Sequence, residues 1–191
     1  VEESQKAVAK MEVIIGDPDR LHAVAEDFIK HYETRVAEGA TVAGKAMFVC
    51  SNRNIAYDFY KIVKELRPEW TEKKICDDGV VLSEKDKKEL KPMEKIKLVM
   101  TRNKDDEKDL FDMLGTKEDR KEFDRQFKNS KSNFKIAIVV DMWLTGFDVP
   151  ELDTIYIDKP IQQHTLIQTI SRVNRVCEGK DKGLIVDYIG I

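Results

Sequence analysis

The sequence has few cysteines and no long apolar run. Its three cysteines, Cys50, Cys76 and Cys177, lie far apart and none belongs to a C-x-x-C pair, which argues against a disulfide framework or a zinc site. No apolar stretch approaches the roughly 20 residues that span a bilayer, and no charged-then-apolar leader opens the chain. We therefore expect reduced thiols, no metal ligands and a soluble cytoplasmic protein without a membrane partner.

The motifs by which a chain holds nucleotide phosphates and Mg²⁺ by itself are also missing. Gly44-Lys45 lacks the upstream glycine and the following Ser or Thr of G-x-x-x-x-G-K-S/T, and it opens a predicted strand instead of following one. No Asp-Glu-x-His or similar box follows an apolar strand, and no nuclease site is visible. We therefore expect that this chain does not hydrolyse ATP alone.

The composition is that of one ordinary globular domain. The chain has 191 residues, of which 41% are hydrophobic and 36% charged, so a core and a well-solvated surface are both possible. This excludes intrinsic disorder and a collagen-like class. The net charge of -3 argues against a wholly basic nucleic-acid coat but permits a local basic face.

Apolar runs alternate with helical patterns along the chain. Continuous apolar runs favour strands that are covered on both faces, and strands that alternate with helices predict βαβ units and an α/β domain with a parallel sheet. The predicted strands are Ala46 to Cys50, Ile96 to Met100, Ile136 to Val140, Thr154 to Ile157 and Leu184 to Val186. The predicted helices are Pro18 to Ala37, Asn54 to Leu66, Lys117 to Lys128 and His164 to Val176.

We interpret residues 1–191 as a single domain and as a fragment of a larger chain. The first residue is Val1, and the last apolar run reaches Ile191 without a terminating signal. Residues 1–40 are expected to form a helical lead-in. Residues 67–95 and 102–116 carry mixed charge and are expected to be solvated insertions.

A Thr-Gly-x-Asp loop follows the third core strand of the predicted sheet. In open α/β sheets ligands bind beyond the carboxyl ends of the strands, so this loop is well placed. Gly146 would let the backbone approach a phosphate, and Asp148 could accept a hydrogen bond from a ribose hydroxyl or orient an arginine. A plain turn, in which the aspartate caps the next segment, explains the same residues.

The helix that begins near His164 is predicted to have one apolar and one polar face. At 100° per residue from Gln168, Arg172 falls at about 40° and Arg175 at about -20°, on one face. The planar arginine fork donates bidentately to phosphoryl oxygens, which suits phosphoryl transfer; a solvated helix surface is the alternative. The opposite face, at about 140° to 200°, is a predicted core seam of Leu166, Ile170, Val173 and Cys177.

In this order the loop and helix resemble motifs V and VI of the second RecA-like domain of superfamily 2 helicases and translocases. Residues 44–53 resemble motif IV. Four further segments resemble the motor (R) subunit of type I restriction enzymes. They are Asp141-Met142-Trp143-Leu144-Thr145-Gly146-Phe147-Asp148-Val149-Pro150, Tyr156-Ile157-Asp158-Lys159-Pro160, Arg172-Val173-Asn174-Arg175-Val176 and Val186-Asp187-Tyr188-Ile189-Gly190. The resemblance covers roughly residues 45–191 and implies a three-layer RecA-like fold with a mainly parallel sheet.

The resemblance implies roles for single residues. Arg175 would be an arginine finger for the γ-phosphate of ATP, with Arg172 beside it and Gln168 supporting the nucleotide contact. Gly146 and Asp148 would couple the nucleotide state to the nucleic-acid groove. Ser51, Thr101 and Thr145 would contact DNA phosphates, although Ser51 or Asn52 could simply cap a helix.

Two positions depart from the family pattern. Ser171 stands where motif VI often has glycine, and Arg102-Asn103-Lys104 follows Thr101 where related chains have small residues, which weakens the DNA-contact assignment of Thr101.

The resemblance also implies partners that this chain does not contain. ATP and Mg²⁺ would be held mainly by a first RecA-like domain, and DNA cleavage would belong to a nuclease domain of the same polypeptide. Double-stranded DNA and the modification (methyltransferase) and specificity subunits would be the other partners. Alternatives are a domain of another superfamily 2 DNA or RNA helicase and a non-catalytic α/β binding module.

Overall fold

Five parallel strands form one sheet at the centre of the chain. The computed structural model describes residues 1–144, 148–180 and 182–190. The strand order is β2-β3-β1-β4-β5, and every pairing is parallel. The strands are β1 (Ala46–Cys50), β2 (Ile96–Leu98), β3 (Ile136–Val139), β4 (Thr154–Asp158) and β5 (Leu184–Asp187). All five predicted strands are present, with ends that differ by at most two residues.

Helices connect the strands and cover both faces of the sheet. They are α1 (Glu2–Ile15), α2 (Pro18–Ala37), α3 (Arg53–Leu66), α4 (Glu84–Glu89), α5 (Lys108–Leu114), α6 (Lys117–Lys128) and α7 (Gln163–Val173), with a 3-10 turn at Pro68–Thr71. Helices α2 and α6 have the predicted bounds. The short helices α4 and α5 lie within the charged segments 67–95 and 102–116. None of the helices in the described part of the chain is long and apolar enough to cross a membrane.

The central strand separates two apolar layers. Successive side chains of a strand point to opposite faces, so Phe48 of β1 packs into one cluster while Met47 and Val49 pack into the other. The first cluster contains Phe28 of α2 and the second contains Val173 of α7. The predicted three-layer α/β architecture with a mainly parallel sheet is therefore confirmed, and α2 is part of its core.

A buried ion pair fixes helix α2 to the carboxyl edge of the sheet. The guanidinium group of Arg20 donates to both carboxylate oxygens of Asp158, the last residue of β4, and Asp158 is fully buried. Arg20 also donates to the carbonyl oxygens of Ile15 and Tyr188, at 3.0 and 3.3 Å. The hydrogen bond and charge of Asp158 raise the pKa of Arg20 against the opposing effect of burial. One arginine thus joins α1, α2 and the ends of β4 and β5.

Replacement of Arg20 by methionine is expected to destabilise the domain strongly. The substitution leaves the Asp158 carboxylate buried without its partner, which costs about 3 kcal/mol or more in the free energy of unfolding. Urea denaturation followed by circular dichroism measures this loss. In the double variant R20M/D158N the buried charge is gone, so part of the stability should return. R125M, which removes an exposed ion pair within α6, should cost less than about 1 kcal/mol. An R20M loss no larger than that of R125M would contradict the account.

Candidate functional site

The connection between β3 and β4 returns to the amino edge of the sheet without a regular helix in its described residues. It leaves the sheet at Val140 and re-enters it at Thr154. The predicted site residues Thr145 and Gly146 fall in this connection but lie outside the described residues. Asp148 lies on it with a half-exposed carboxylate. The aspartate therefore lies well beyond the carboxyl end of β3, on the way back to the start of β4.

Helix α7 ends earlier than its sequence pattern predicts. The predicted helix ran from His164 to Val176, but the observed one ends at Val173, with Asn174 as its C-cap residue. The end of the helix packs against Gly183, where an added Cβ atom would overlap the carbonyl oxygen of Val173. Because Gly183 directly precedes β5, this contact places the end of α7 at the amino edge of the sheet.

The early end of α7 changes the predicted faces. Thr169 and Val173 are buried, whereas Ile170 is 36% exposed and Cys177 lies beyond the helix, so the predicted core seam is partly wrong. A threonine can take the buried position because its hydroxyl donates to the carbonyl oxygen of Thr165, at 2.8 Å, within the helix.

The polar residues of this region lie in two different settings. Gln168 is exposed on α7, and Arg172 is partly buried in its last turn. The Nε atom of Arg172 is buried and has no hydrogen-bond partner within the described part of the chain. Arg175 follows the helix and therefore does not share its face. Its guanidinium lies 3.0 Å from the Asp148 carboxylate, and both side chains are about half exposed. The structure thus brings Asp148 and Arg175 together.

Lys180, which the sequence pattern did not indicate, connects the backbone segments around Asp148 and Arg175. The ammonium group of Lys180 donates to the carbonyl oxygens of Pro150, Leu152 and Arg175, at 3.2, 2.9 and 2.9 Å. Burial lowers its pKa, against the attraction of Asp153. Since its acceptors are backbone atoms, no side-chain pattern could have revealed the contact. Lys180 therefore joins the β3–β4 connection to the segment that carries Arg175.

Ser51 and Thr101 lie at the carboxyl edge, apart from the arginines. Asn52 caps α3 by accepting a hydrogen bond from the Ile55 amide at 2.9 Å, which leaves the Ser51 hydroxyl free of that role. The guanidinium of Arg53 donates to the carbonyl oxygen of Thr101 and to both carboxylate oxygens of Asp106, at 2.8 and 2.7 Å. Arg53 thereby links the residues after β1 to those after β2.

The residues after β4 complete this edge. Lys159 donates to the carbonyl oxygen of Val140 at 3.0 Å and to the carboxylate of Asp141 at 2.6 Å, so it joins the ends of β4 and β3. Its neighbour Asp158 binds Arg20 on the other side. Both charged residues of the Asp-Lys-Pro sequence thus hold the ends of strands in place.

The Gly44-Lys45 pair has no phosphate-binding geometry. Lys45 precedes β1 at the amino edge and is fully buried. Its ammonium donates to the carbonyl oxygen of Phe134 at 2.5 Å, and burial lowers its pKa well below the ordinary value. Within the described residues, no group of three or more His, Cys, Asp or Glu side chains could hold a metal ion.

Comparisons with known proteins identify relatives of the chain. The family model for "Type I restriction enzyme subunit R domain 3" matches residues 42–190. The HindI endonuclease subunit of a type I restriction enzyme from Haemophilus influenzae is 37% identical over 193 residues, which cover 100% of this chain and 16% of that protein. The SauCOLORF180P endonuclease subunit from Staphylococcus aureus is 49% identical over 72 residues, 35% of this chain and 8% of that protein.

A solved structure shares the fold. It is a fragment described as an HsdR subunit of a type I restriction enzyme from Vibrio vulnificus, with a TM-score of 0.56 and 15% identity. The match covers 90% of this chain and 28% of that one. With the all-parallel sheet, it confirms the predicted RecA-like fold class. The Haemophilus influenzae relative is much longer than this chain, which spans only about 16% of its length.

Replacement of Gly183 by alanine should displace the end of α7 and destabilise the domain. The added Cβ would collide with the Val173 carbonyl, and such overpacking costs about 1–3 kcal/mol in the free energy of unfolding. Urea denaturation of the 191-residue chain measures the effect. At Gly39 the backbone φ is +68° but no atom lies within 4 Å of the added group, so G39A measures the cost of backbone strain without a collision, whereas Gly183 has no positive φ and G183A measures the collision. A loss of only a few tenths of a kcal/mol in G183A would refute close packing at Gly183.

Proposed function

Because the chain belongs to the family of type I restriction enzyme R subunits, through their domain 3, we propose that it is the second motor domain of an ATP-driven translocase of double-stranded DNA. The observation that carries the proposal is the half-exposed guanidinium of Arg175, held beside Asp148 in a segment anchored by Lys180. An arginine that is exposed on an anchored backbone can reach a ligand on a facing domain. Supplied across a cleft, it would stabilise the charge that develops during phosphoryl transfer.

The donors in this region fit the phosphates of ATP. The Nε atom of Arg172 is buried and meets no hydrogen-bond acceptor among the described residues, and Arg175 adds a guanidinium that is accessible to solvent. Gln168, exposed on the preceding turn of α7, would support the nucleotide contact. Gly146, outside the described residues, and Asp148 would couple this contact to the nucleic-acid groove.

The described residues fit Mg²⁺ poorly, since they offer no cluster of metal-binding side chains. The proposal therefore leaves Mg²⁺ and most of the nucleotide to the first RecA-like domain, and the isolated chain would be inactive. This chain's own contribution is to bring positive charge to the phosphates when the two domains close.

DNA would bind along the carboxyl edge of the sheet. Ser51 and Thr101 lie at this edge, and the guanidinium of Arg53 binds the carbonyl oxygen of Thr101. Thr145 would be a third contact to DNA. Hydroxyl contacts to phosphates carry no sequence information, so movement along DNA would be largely independent of sequence.

The rest of the restriction enzyme would supply the remaining functions. The chain spans about 16% of the length of the Haemophilus influenzae relative. We therefore place the nuclease domain and the first RecA-like domain elsewhere in the same polypeptide. The modification and specificity subunits would be partners of that polypeptide in the cytoplasm.

Substitution R175A in the full-length subunit should lower ATP turnover by about a thousandfold, because the variant loses charge stabilisation in the transition state. The KM for ATP should change much less. Steady-state ATPase with duplex DNA and the partner subunits measures both. R125A, which alters an exposed arginine paired within α6, is the matched control and should retain its activity. Unchanged turnover in R175A would favour a non-catalytic binding module.

Substitutions S51A and T101A should each weaken duplex DNA binding by the full-length subunit about 2- to 10-fold, as expected for one lost hydrogen bond. A neutral hydroxyl releases no counterion, so the salt dependence of binding should keep its slope. Fluorescence anisotropy at several salt concentrations measures affinity and slope together. T71A, on the 3-10 turn, is the control. Affinities equal to those of the control would remove both residues from the DNA interface.

A further inference from the structure

The ammonium group of Lys180 is fully satisfied by backbone carbonyls. A lysine ammonium has three N–H donors. In this structure the three donors meet the carbonyl oxygens of Pro150, Leu152 and Arg175, all within 3.2 Å. Each of these contacts is a hydrogen bond from a charged donor, and such bonds are stronger than those between neutral groups. One side chain therefore fixes three backbone positions relative to one another.

The three carbonyls belong to two segments that have no regular secondary structure. Pro150 and Leu152 lie on the β3–β4 connection, whereas Arg175 lies after the early end of α7. Within residues 141–144, 148–153 and 174–180, no strand pairing or helical hydrogen bond joins the two segments. They are joined by Lys180 through the backbone and by the Arg175–Asp148 ion pair through side chains. Half-exposed ion pairs hold weakly, so Lys180 is the stronger of the two links.

We propose that Lys180 is a positioning residue for Arg175 and sets the point from which its guanidinium reaches across the cleft. The inference rests on the proposed function, because it assumes that Arg175 acts on a ligand. Lys180 does not contact that ligand. It acts by holding the carbonyl oxygen of Arg175 against the connection that carries Asp148. Small displacements of a catalytic group have large effects, since a shift of about 1 Å can cost a factor of 100 in rate.

The test is a double-mutant cycle in the full-length subunit, assembled with its partner subunits and assayed for ATPase with duplex DNA. K180M removes the three donors and retains a long unbranched side chain. It should lower kcat about 10- to 100-fold and change the KM for ATP less than about threefold. In the R175A background, K180M should have no further effect, because the group that it positions is absent. K182M alters an exposed lysine two residues along the chain and should match the wild type.

The outcomes separate this inference from the proposed function. If R175A is inactive while K180M has wild-type turnover, Lys180 positions nothing and the inference fails alone. If K180M multiplies its full loss onto R175A, Lys180 acts independently of Arg175 and the inference also fails. If R175A itself has full activity, the proposed function fails.

A purely structural role is distinguished by the R175A background. K180M should unfold at a lower temperature than K182M, because three hydrogen bonds from a charged donor are lost, but it should be folded at the assay temperature. A loss of kcat that is caused by general destabilisation would persist in the R175A background, whereas a loss of positioning would not. If K180M does not fold, K180Q, which keeps two N–H donors, takes its place in the same cycle. A kcat loss in K180Q that vanishes with R175A supports the proposal, and a loss that persists refutes it.

Discussion

Parallel strands require a return crossing after each strand, and the site depends on how two of these crossings are made. The chain must travel from the carboxyl edge of one strand to the amino edge of the next. Helix α7 makes this crossing between β4 and β5, and it ends against Gly183. The described part of the β3–β4 crossing has no helix. Its backbone groups therefore need partners from outside, and the segment after α7 provides them through Lys180.

The same crossing connects the two ends of the proposed motor domain. It begins at Asp141, which Lys159 binds at the carboxyl edge near Ser51 and Thr101. It ends near Leu152, which Lys180 binds beside Arg175. In our account, a change in the grip of Arg175 on a nucleotide would be transmitted along this segment to the DNA-binding edge. The buried ion pair between Arg20 and Asp158 would keep the end of β4 in place while the segment moves.

The sequence predicted the sheet well because its strands are short, continuous apolar runs with polar ends. It predicted the end of α7 poorly, because the helical pattern continues to Val176 while the helix ends at Val173, where its last carbonyl packs against Gly183. Non-local contacts of this kind leave no periodic signal. The Arg20–Asp158 pair joins residues 138 positions apart, and the three acceptors that Lys180 binds among the described residues are backbone oxygens. The candidate site was therefore predicted as residue types, whereas its arrangement required the fold.

The central claim is that Arg175 completes a nucleotide site on another domain. A structure of the full-length subunit with duplex DNA and ADP plus a planar metal-fluoride mimic of the transferred phosphate tests it most directly. The account predicts that the Arg175 guanidinium leaves Asp148 and donates to the mimic at about 3 Å, while the Lys180 ammonium keeps the Arg175 carbonyl. An Arg175 side chain that still binds Asp148 and faces solvent, with the nucleotide bound elsewhere, would contradict it.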